Sequence, residues 1–183
     1  MTQEFQKALA AKRQFDKNRV EEKSKVDCSD NVYYVNAEVT GASNTISLID
    51  SNTKKIAGLT NFDGNVIGLG KRFPVSAMRV LYTTDGTKPG NANWQDRAYL
   101  PAELQNATLT LKQGSNVLAS LPLTDLQGFK MKEFRALATV PVLADRTPFE
   151  LEIEMPAGIT LPEKAGTLSF LRVEFKGVVF KSI

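Results

Sequence analysis

The chain has 183 residues, of which 42% are hydrophobic and 23% are charged, and its formal net charge is +3. These values are typical of one globular domain with a buried core and exclude a wholly disordered chain. No run approaches the ~20 apolar residues of a transmembrane helix, and the N terminus lacks the apolar stretch of a secretion signal, so we expect neither.

Histidine is absent, and Cys28 is the only cysteine. An intrachain disulfide and a thiolate metal cluster are therefore excluded, as are the Ser-His and Cys-His pairs of nucleophilic enzymes. Only carboxylate or Ser-Lys chemistry remains open to a catalytic site. We expect that the protein is not an enzyme and that it has no cofactor and no metal site.

Residues 1–27 are predicted to form an N-terminal arm. Residues 2–23 contain neither glycine nor proline and are rich in strong helix formers, which predicts a helix. Residues 1–26 carry seven Lys or Arg and four Asp or Glu, so the arm accounts for the whole net charge. The apolar side of this helix is narrow, so the helix is expected to need a surface to pack on in order to be stable. That surface is the β body of the same chain, a neighbouring subunit or another polymer. The residues expected to contact that surface are Phe5, Leu9, Arg13, Phe15, Lys17 and Arg19.

From residue 31 the pattern changes to short β segments separated by turns. Residues 31–39 and 45–49 are rich in β-branched and aromatic side chains, which predicts two strands. The polar turn at 50–53 leads into residues 55–59, and this arrangement predicts a hairpin. Residues 74–83 read as a longer strand.

Residues 84–101 read as a loop that is long for a compact domain, and loops of this length are usually functional or mobile. The loop contains Trp94, the only tryptophan, and Tyr99. Aromatic side chains on a loop can contact a partner, stack on a sugar ring, or pack the loop against its own body. All three interpretations stay open, and the two residues are candidate partner contacts.

The second half of the chain contains the clearest strand signals. Residues 107–111 and 117–121 flank a polar turn, which predicts a hairpin. Apolar residues alternate with glutamates over 149–155, as in a strand with one buried face. Residues 167–180 read as a long strand or a bent pair with a kink at Gly177.

The glutamates of that alternating segment are Glu150, Glu152 and Glu154. Carboxylates on one side of a strand can form an acid–base pair, because neighbouring negative charges shift each other's pKa. No facing group is evident in the sequence. A solvated face is therefore the preferred interpretation.

Eight to ten short strands with few helices predict a mainly β fold, an antiparallel β-sandwich that spans residues 28–183 as one domain. Residues 125–138 fit either a short helix from about Lys130 or an irregular crossing.

Three stretches carry a resemblance to a known class of proteins: TLTLKQGSNVLASLPL, FELEIEMPAGITLP and AGTLSFLRVEFKG. With the arm at 1–26 and the body at 31–183, the chain resembles the single jelly-roll structural proteins of viral and bacteriophage capsids. The resemblance implies a virion subunit, coat or vertex, that is made in the host cytoplasm. Its implied partners are further copies of itself and other structural proteins of the same assembly.

Two other functions are weighed against this one. A carbohydrate-binding or adhesin module would use Trp94 and Tyr99 as its platform. Nucleic-acid contact through the basic arm is less favoured, because four interspersed acidic residues weaken the attraction to phosphate.

Overall fold

The computed structural model describes residue 10 and residues 26–94, 99–127, 133–161 and 167–182. The arm residues predicted to contact a partner all lie outside these ranges, as do residues 95–98 of the long loop. The prediction of a helical arm therefore stays a prediction.

The described residues contain nine strands and only short helices. The strands are β1 (Val26–Glu38), β2 (Thr45–Ile49), β3 (Lys71–Thr83), β4 (Thr108–Gln113), β5 (Asn116–Pro122), β6 (Arg135–Ala136), β7 (Val142–Leu143), β8 (Phe149–Glu154) and β9 (Phe170–Ser182). The helices are a 3-10 turn (Pro89–Asn91), α1 (Ala102–Gln105) and α2 (Leu123–Leu126). No helix in the described ranges is long and apolar enough to span a membrane.

The strands form two antiparallel sheets, as in a β-sandwich. One sheet has the order β1-β9-β3-β6, with β7 also paired to β3, and the other has the order β2-β8-β4-β5. The pairing is nested along the chain: β1 pairs with β9, β2 with β8, β3 with β6 and β7, and β4 with β5. The prediction of a mainly β, two-sheet fold is confirmed.

The inner faces of the two sheets form one hydrophobic core. Alternation along each strand places every second side chain on that face, where burial of a large aliphatic or aromatic group contributes about 1.5–3 kcal/mol. Fully buried members are Phe73, Met78, Val80, Leu109, Leu111, Leu151, Ile153 and Val173. The alternating burial along β8 confirms the strand predicted at 149–155.

The predicted C-terminal strand is one continuous strand, and Gly177 marks a close approach to β3. A Cβ at Gly177 would lie 2.0 Å from the carbonyl oxygen of Pro74. The register between β3 and β9 shifts between Val75 and Ala77, next to this contact. Pro74 has no N–H for the ladder, and the N–H of Val75 instead donates to the carbonyl oxygen of Pro141 at 2.8 Å. The extra residue of this irregularity is Ser76, so the register shift next to Gly177 lies in β3.

The hairpin predicted between residues 45–49 and 55–59 is wrong. β2 pairs with β8, and the segment after it runs along the free edge of β1. There the N–H of Asn36 donates to the carbonyl oxygen of Leu59 at 2.8 Å, and Val35 bridges to Thr60. The chain turns at Gly58, which has a φ of +83° that other residues adopt only under strain. The hairpin predicted around residues 113–116 is confirmed by β4 and β5.

Candidate functional site

Charged side chains meet on the outer face of the five-stranded sheet. Glu174 on β9 lies opposite Arg79 on β3 in the sheet register, and Arg172 lies two residues before it on the same face. Nε of Arg79 donates to Oε2 of Glu174 at 2.7 Å, and Nε of Arg172 donates to Oε1 at 2.6 Å. Nη2 of Arg79 also contacts Oε2. One carboxylate therefore binds two guanidinium groups.

This cluster is largely removed from solvent. The side chain of Glu174 is 6% exposed, against 14% for Arg79 and 20% for Arg172. A carboxylate loses several kcal/mol of hydration on such burial, which only paired charges and hydrogen bonds can offset. The two arginines supply that compensation, so the three side chains are energetically coupled.

Aromatic rings pack against each cation of the cluster. The guanidinium carbon of Arg172 lies 4.1 Å from the ring centre of Tyr34 and 5.9 Å from that of Trp94. The guanidinium carbon of Arg79 lies 4.3 Å from the ring centre of Phe134. Cation–π contacts of this kind contribute about 0.5–2 kcal/mol, depending on desolvation. Trp94 and Phe134 come from two different connecting segments, so each segment contacts the sheet at one arginine of the cluster.

The loop that carries Trp94 is organised by its own polar side chains. The amide of Asn93 donates to a carboxylate oxygen of Asp85 at 2.9 Å, and the backbone N–H of Asn93 donates to the carbonyl oxygen of Asp85 at 2.8 Å. Gly90 approaches Gly58 so closely that a Cβ on Gly58 would lie 3.0 Å from the Cα of Gly90. The first part of the predicted long loop is therefore an ordered turn that rests on the edge of β1.

The two aromatic residues predicted as partner contacts differ in exposure. Trp94 is half-buried beside Arg172, whereas Tyr99 is 74% exposed. Of the three interpretations of Trp94, the contact with Arg172 favours a side chain that packs its loop against the body. Tyr99 presents its ring to solvent.

A buried amide lies beside the cluster. Asn36 on β1 is opposite Arg172 in the register with β9, and its side chain donates to the carbonyl oxygen of Gly58 at 2.7 Å. Among the described residues, its Oδ1 atom has no hydrogen-bond partner although it is buried. This amide ties the edge of β1 to the segment that covers it.

The glutamates of β8 lie on the outer face of the other sheet. Nζ of Lys112 on β4 donates to Oε2 of Glu152 at 2.6 Å. The hydrogen bond to Glu152 raises the pKa of Lys112, and the nearby charges of Glu152, Glu150 and Glu154 act in the same direction. Glu150 and Glu154 are exposed, which agrees with a solvated face.

The Arg79–Glu174–Arg172 cluster was not among the sites predicted from the sequence. Its signal was present, since Arg172 and Glu174 interrupt an otherwise apolar strand at alternate positions, as Arg79 does in β3. In the part of the chain that the structure describes, no three Cys, Asp or Glu side chains come together as metal ligands would. Cys28 is exposed on β1.

Searches of protein families, of curated proteins and of solved structures find no match to this chain.

Proposed function

We propose that this protein is a structural subunit of a virus or bacteriophage particle, built on a single jelly roll, and that it works through contacts between copies. The observation that carries the proposal is the nested strand order. When β6 and β7 are counted as one interrupted strand, the first strand pairs with the eighth, the second with the seventh, the third with the sixth and the fourth with the fifth. A jelly roll has this order, with its eight strands divided between two sheets.

Strand order alone does not specify a function, because jelly rolls also occur in lectins and cupins. The placement of charge supports an assembly role. The arm at 1–26 carries the whole net charge, and residues 27–183 contain equal numbers of acidic and basic residues. An amphipathic segment with few apolar anchors gains stability by docking, and a neighbouring copy provides a docking surface in every particle.

The proposal includes a location and partners. The protein would reside in the particle after synthesis in the host cytoplasm, in contact with further copies and other structural proteins. Nucleic-acid contact through the arm is a lesser part of the proposal, because Glu4, Asp16, Glu21 and Glu22 weaken its attraction to phosphate.

Light scattering and electron microscopy of the purified full chain test the proposal. We expect oligomers or particles whose abundance rises with concentration. A strictly monomeric protein at high concentration, also in the presence of the other structural proteins of its particle, would overturn it.

The role of the arm is tested in the full chain with matched substitutions. Phe5→Ser, Leu9→Ser and Phe15→Ser together remove apolar anchors, whereas Gln3→Ser, Gln6→Ser and Gln14→Ser change polar positions of the same segment. We expect assembly to be lost in the first variant and kept in the second. Equal assembly of both variants would show that the arm does not mediate contacts.

Glycan binding is a second candidate, and the 74% exposure of Tyr99 is the observation that favours it. A flat, exposed ring can stack on a sugar, and the fluorescence of Trp94 would report binding nearby. We expect Tyr99→Ala to abolish any glycan-dependent change in that fluorescence. If a broad panel of glycans leaves the emission of the unsubstituted protein unchanged, this candidate is rejected.

A further inference from the structure

The edge strand β5 is open in the part of the chain that the structure describes. β5 pairs with β4 on one side and is the last strand of its sheet. An edge strand presents unpaired N–H and C=O groups, which readily pair with another strand. The side chains of β5 therefore determine which strand can pair with it.

The hydrophobic core is incomplete along β5. Leu118, Ala119 and Leu121 pack against the core but are only partly buried, whereas Leu109 and Leu111 on the neighbouring strand are fully buried. Val117 lies opposite Lys112 and therefore on the outer face of the same strand, where it is 59% exposed. A further strand beside β5 would cover these apolar side chains.

The middle of the other long edge, at residues 32–36 of β1, is covered by the chain itself, and the start of that strand carries the charged residues Asp27 and Asp30. At the free edge of β1, the N–H of Tyr34 donates to Oδ1 of Asn61 at 2.9 Å, and the amide of Asn61 donates to the carbonyl oxygen of Val32 at 2.7 Å. The remaining edges are short, because β2 has five residues and a register shift beside Leu48. β5 is thus the longest edge that lacks a cover in the described ranges.

The sequence of β5 suits pairing with a copy of itself. Natural edge strands usually carry proline or charged residues such as Lys that prevent such pairing, but Asn116–Pro122 contains no charged residue and its only proline is its last residue. The register shift of β5 lies opposite Leu111 and Lys112, so residues 119–122 are its regular part. Two antiparallel copies of a neutral strand place no like charges opposite each other.

We propose that β5 pairs with β5 of a second copy, antiparallel and about a twofold axis near Ser120, so that two four-stranded sheets become one eight-stranded sheet. The inference deepens the proposed assembly function, because it names the partner and the surface. A twofold contact uses the same patch on both subunits, which a neutral apolar strand satisfies. One strand pair buries less than the roughly 1,600 Å² of a standard stable interface, so we expect a weak dimer that repetition within a particle strengthens.

Matched substitutions on two edges of the same sheet test this pairing in the full chain. Ser120 on β5 and Ser47 on β2 are both exposed, so Lys at either position is compatible with folding. We expect Ser120→Lys to raise the dissociation constant of the dimer about tenfold or more in analytical ultracentrifugation, because the two new charges face each other. Ser47→Lys should leave it unchanged.

Disulfide trapping gives a second readout in a Cys28→Ser background. Ser120→Cys should cross-link to the same residue of a second copy under mild oxidation, and Ser47→Cys should not. Equal dissociation constants for the two Lys variants, together with no preferential cross-link at residue 120, would overturn the inference.

These experiments distinguish a failure of β5 pairing from a failure of the particle-subunit proposal. A dimer that Ser120→Lys dissociates but that never grows into larger assemblies would retain β5 pairing and reject the particle subunit. Particles that form equally well from Ser120→Lys would support the particle subunit and reject β5 pairing.

Discussion

Glu174 and Arg79 face each other across β9 and β3, 95 residues apart along the chain, and join the outer face of the five-stranded sheet into one charged cluster. Because Glu174 also accepts a hydrogen bond from Arg172, a single buried carboxylate binds two partly buried guanidinium groups. The aromatic rings of Trp94 and Phe134 lie on those cations. Each connecting segment therefore packs on an arginine that also binds Glu174.

Replacing Glu174 is expected to be strongly destabilising. Glu174→Gln keeps the shape of the side chain but removes the negative charge that both guanidinium groups bind, and loss of one partner of a buried pair costs about 3–5 kcal/mol. Urea denaturation measures the free energy of unfolding. The control is Glu152→Gln on the solvated face, for which we expect a smaller loss. Similar losses of unfolding free energy in the two variants would show that the buried cluster contributes no more to stability than the pair of Glu152 and Lys112.

Trp94 is expected to hold its loop on the sheet. Trp94→Ala should lower the free energy of unfolding by about 1–3 kcal/mol, through lost burial and the lost contact with Arg172. It should also speed tryptic cleavage within residues 84–101. Tyr99→Ala is the comparison, because that ring is 74% exposed and its removal should change stability less. If cleavage is equally slow in both variants, Trp94 does not anchor the loop.

Gly177 is expected to tolerate no side chain. Its missing Cβ would lie 2.0 Å from the carbonyl oxygen of Pro74 and 3.0 Å from the ring of Phe73. Gly177→Ala must therefore separate β9 from β3, and we expect a loss of more than about 3 kcal/mol or failure to fold. At Gly68 the nearest atom to a new Cβ is the flexible side chain of Lys71 at 3.6 Å, so Gly68→Ala serves as the control. Thermal melts of both proteins check the prediction, and equal melting temperatures would contradict it.

Local patterns in the sequence predicted strands better than they predicted strand partners. The alternation at 149–155 and the two-residue turn between β4 and β5 determine their own structure, because period and turn chemistry are local. Residues 55–59 follow a turn just as a hairpin strand would, yet they cover β1, since Asn36 and Asn61 supply hydrogen bonds that no local pattern reveals. The hairpin prediction failed because the pairing partner of residues 55–59 depends on residues that are distant in the sequence.

The candidate site shows the same limit. Charged residues at alternate positions of β9 place Arg172 and Glu174 on one face, a signal that the sequence contains but that was not used to predict a site. That Arg79 joins them depends on the register of β3 against β9. The half-burial of Trp94 likewise involves a distant residue, because the ring lies beside Arg172 of β9. Exposure of an aromatic loop residue is therefore a property of the folded sheet beneath it, which the loop sequence alone does not contain.

The alkaline stability of the protein should depend on Tyr33. This ring lies between Phe73 at 4.6 Å and Phe62 at 5.4 Å, and burial raises its pKa above the usual value near 10, an effect that the side chain of Asn31 partly opposes. The unfolded chain then ionises first, so the free energy of unfolding is constant below pH ~10 and falls as the pH rises toward the folded pKa. The slope contributed by one proton is at most about 1.4 kcal/mol per pH unit.

Tyr33→Phe keeps the ring and removes the ionisable hydroxyl, so the variant should lose less stability than the unsubstituted protein between pH 9 and 11.5. Lys112 also affects stability at alkaline pH. Its raised pKa means that the charged amine stabilises the folded protein at lower pH, and this stabilisation is lost as the pH rises and the amine loses its proton. Urea midpoints of Tyr33→Phe, Lys112→Gln and the double variant separate the two groups. Tyr33→Phe could follow the pH profile of the unsubstituted protein while Lys112→Gln departs from it. That result would contradict the prediction, because the Lys112–Glu152 pair and not Tyr33 would then control alkaline unfolding.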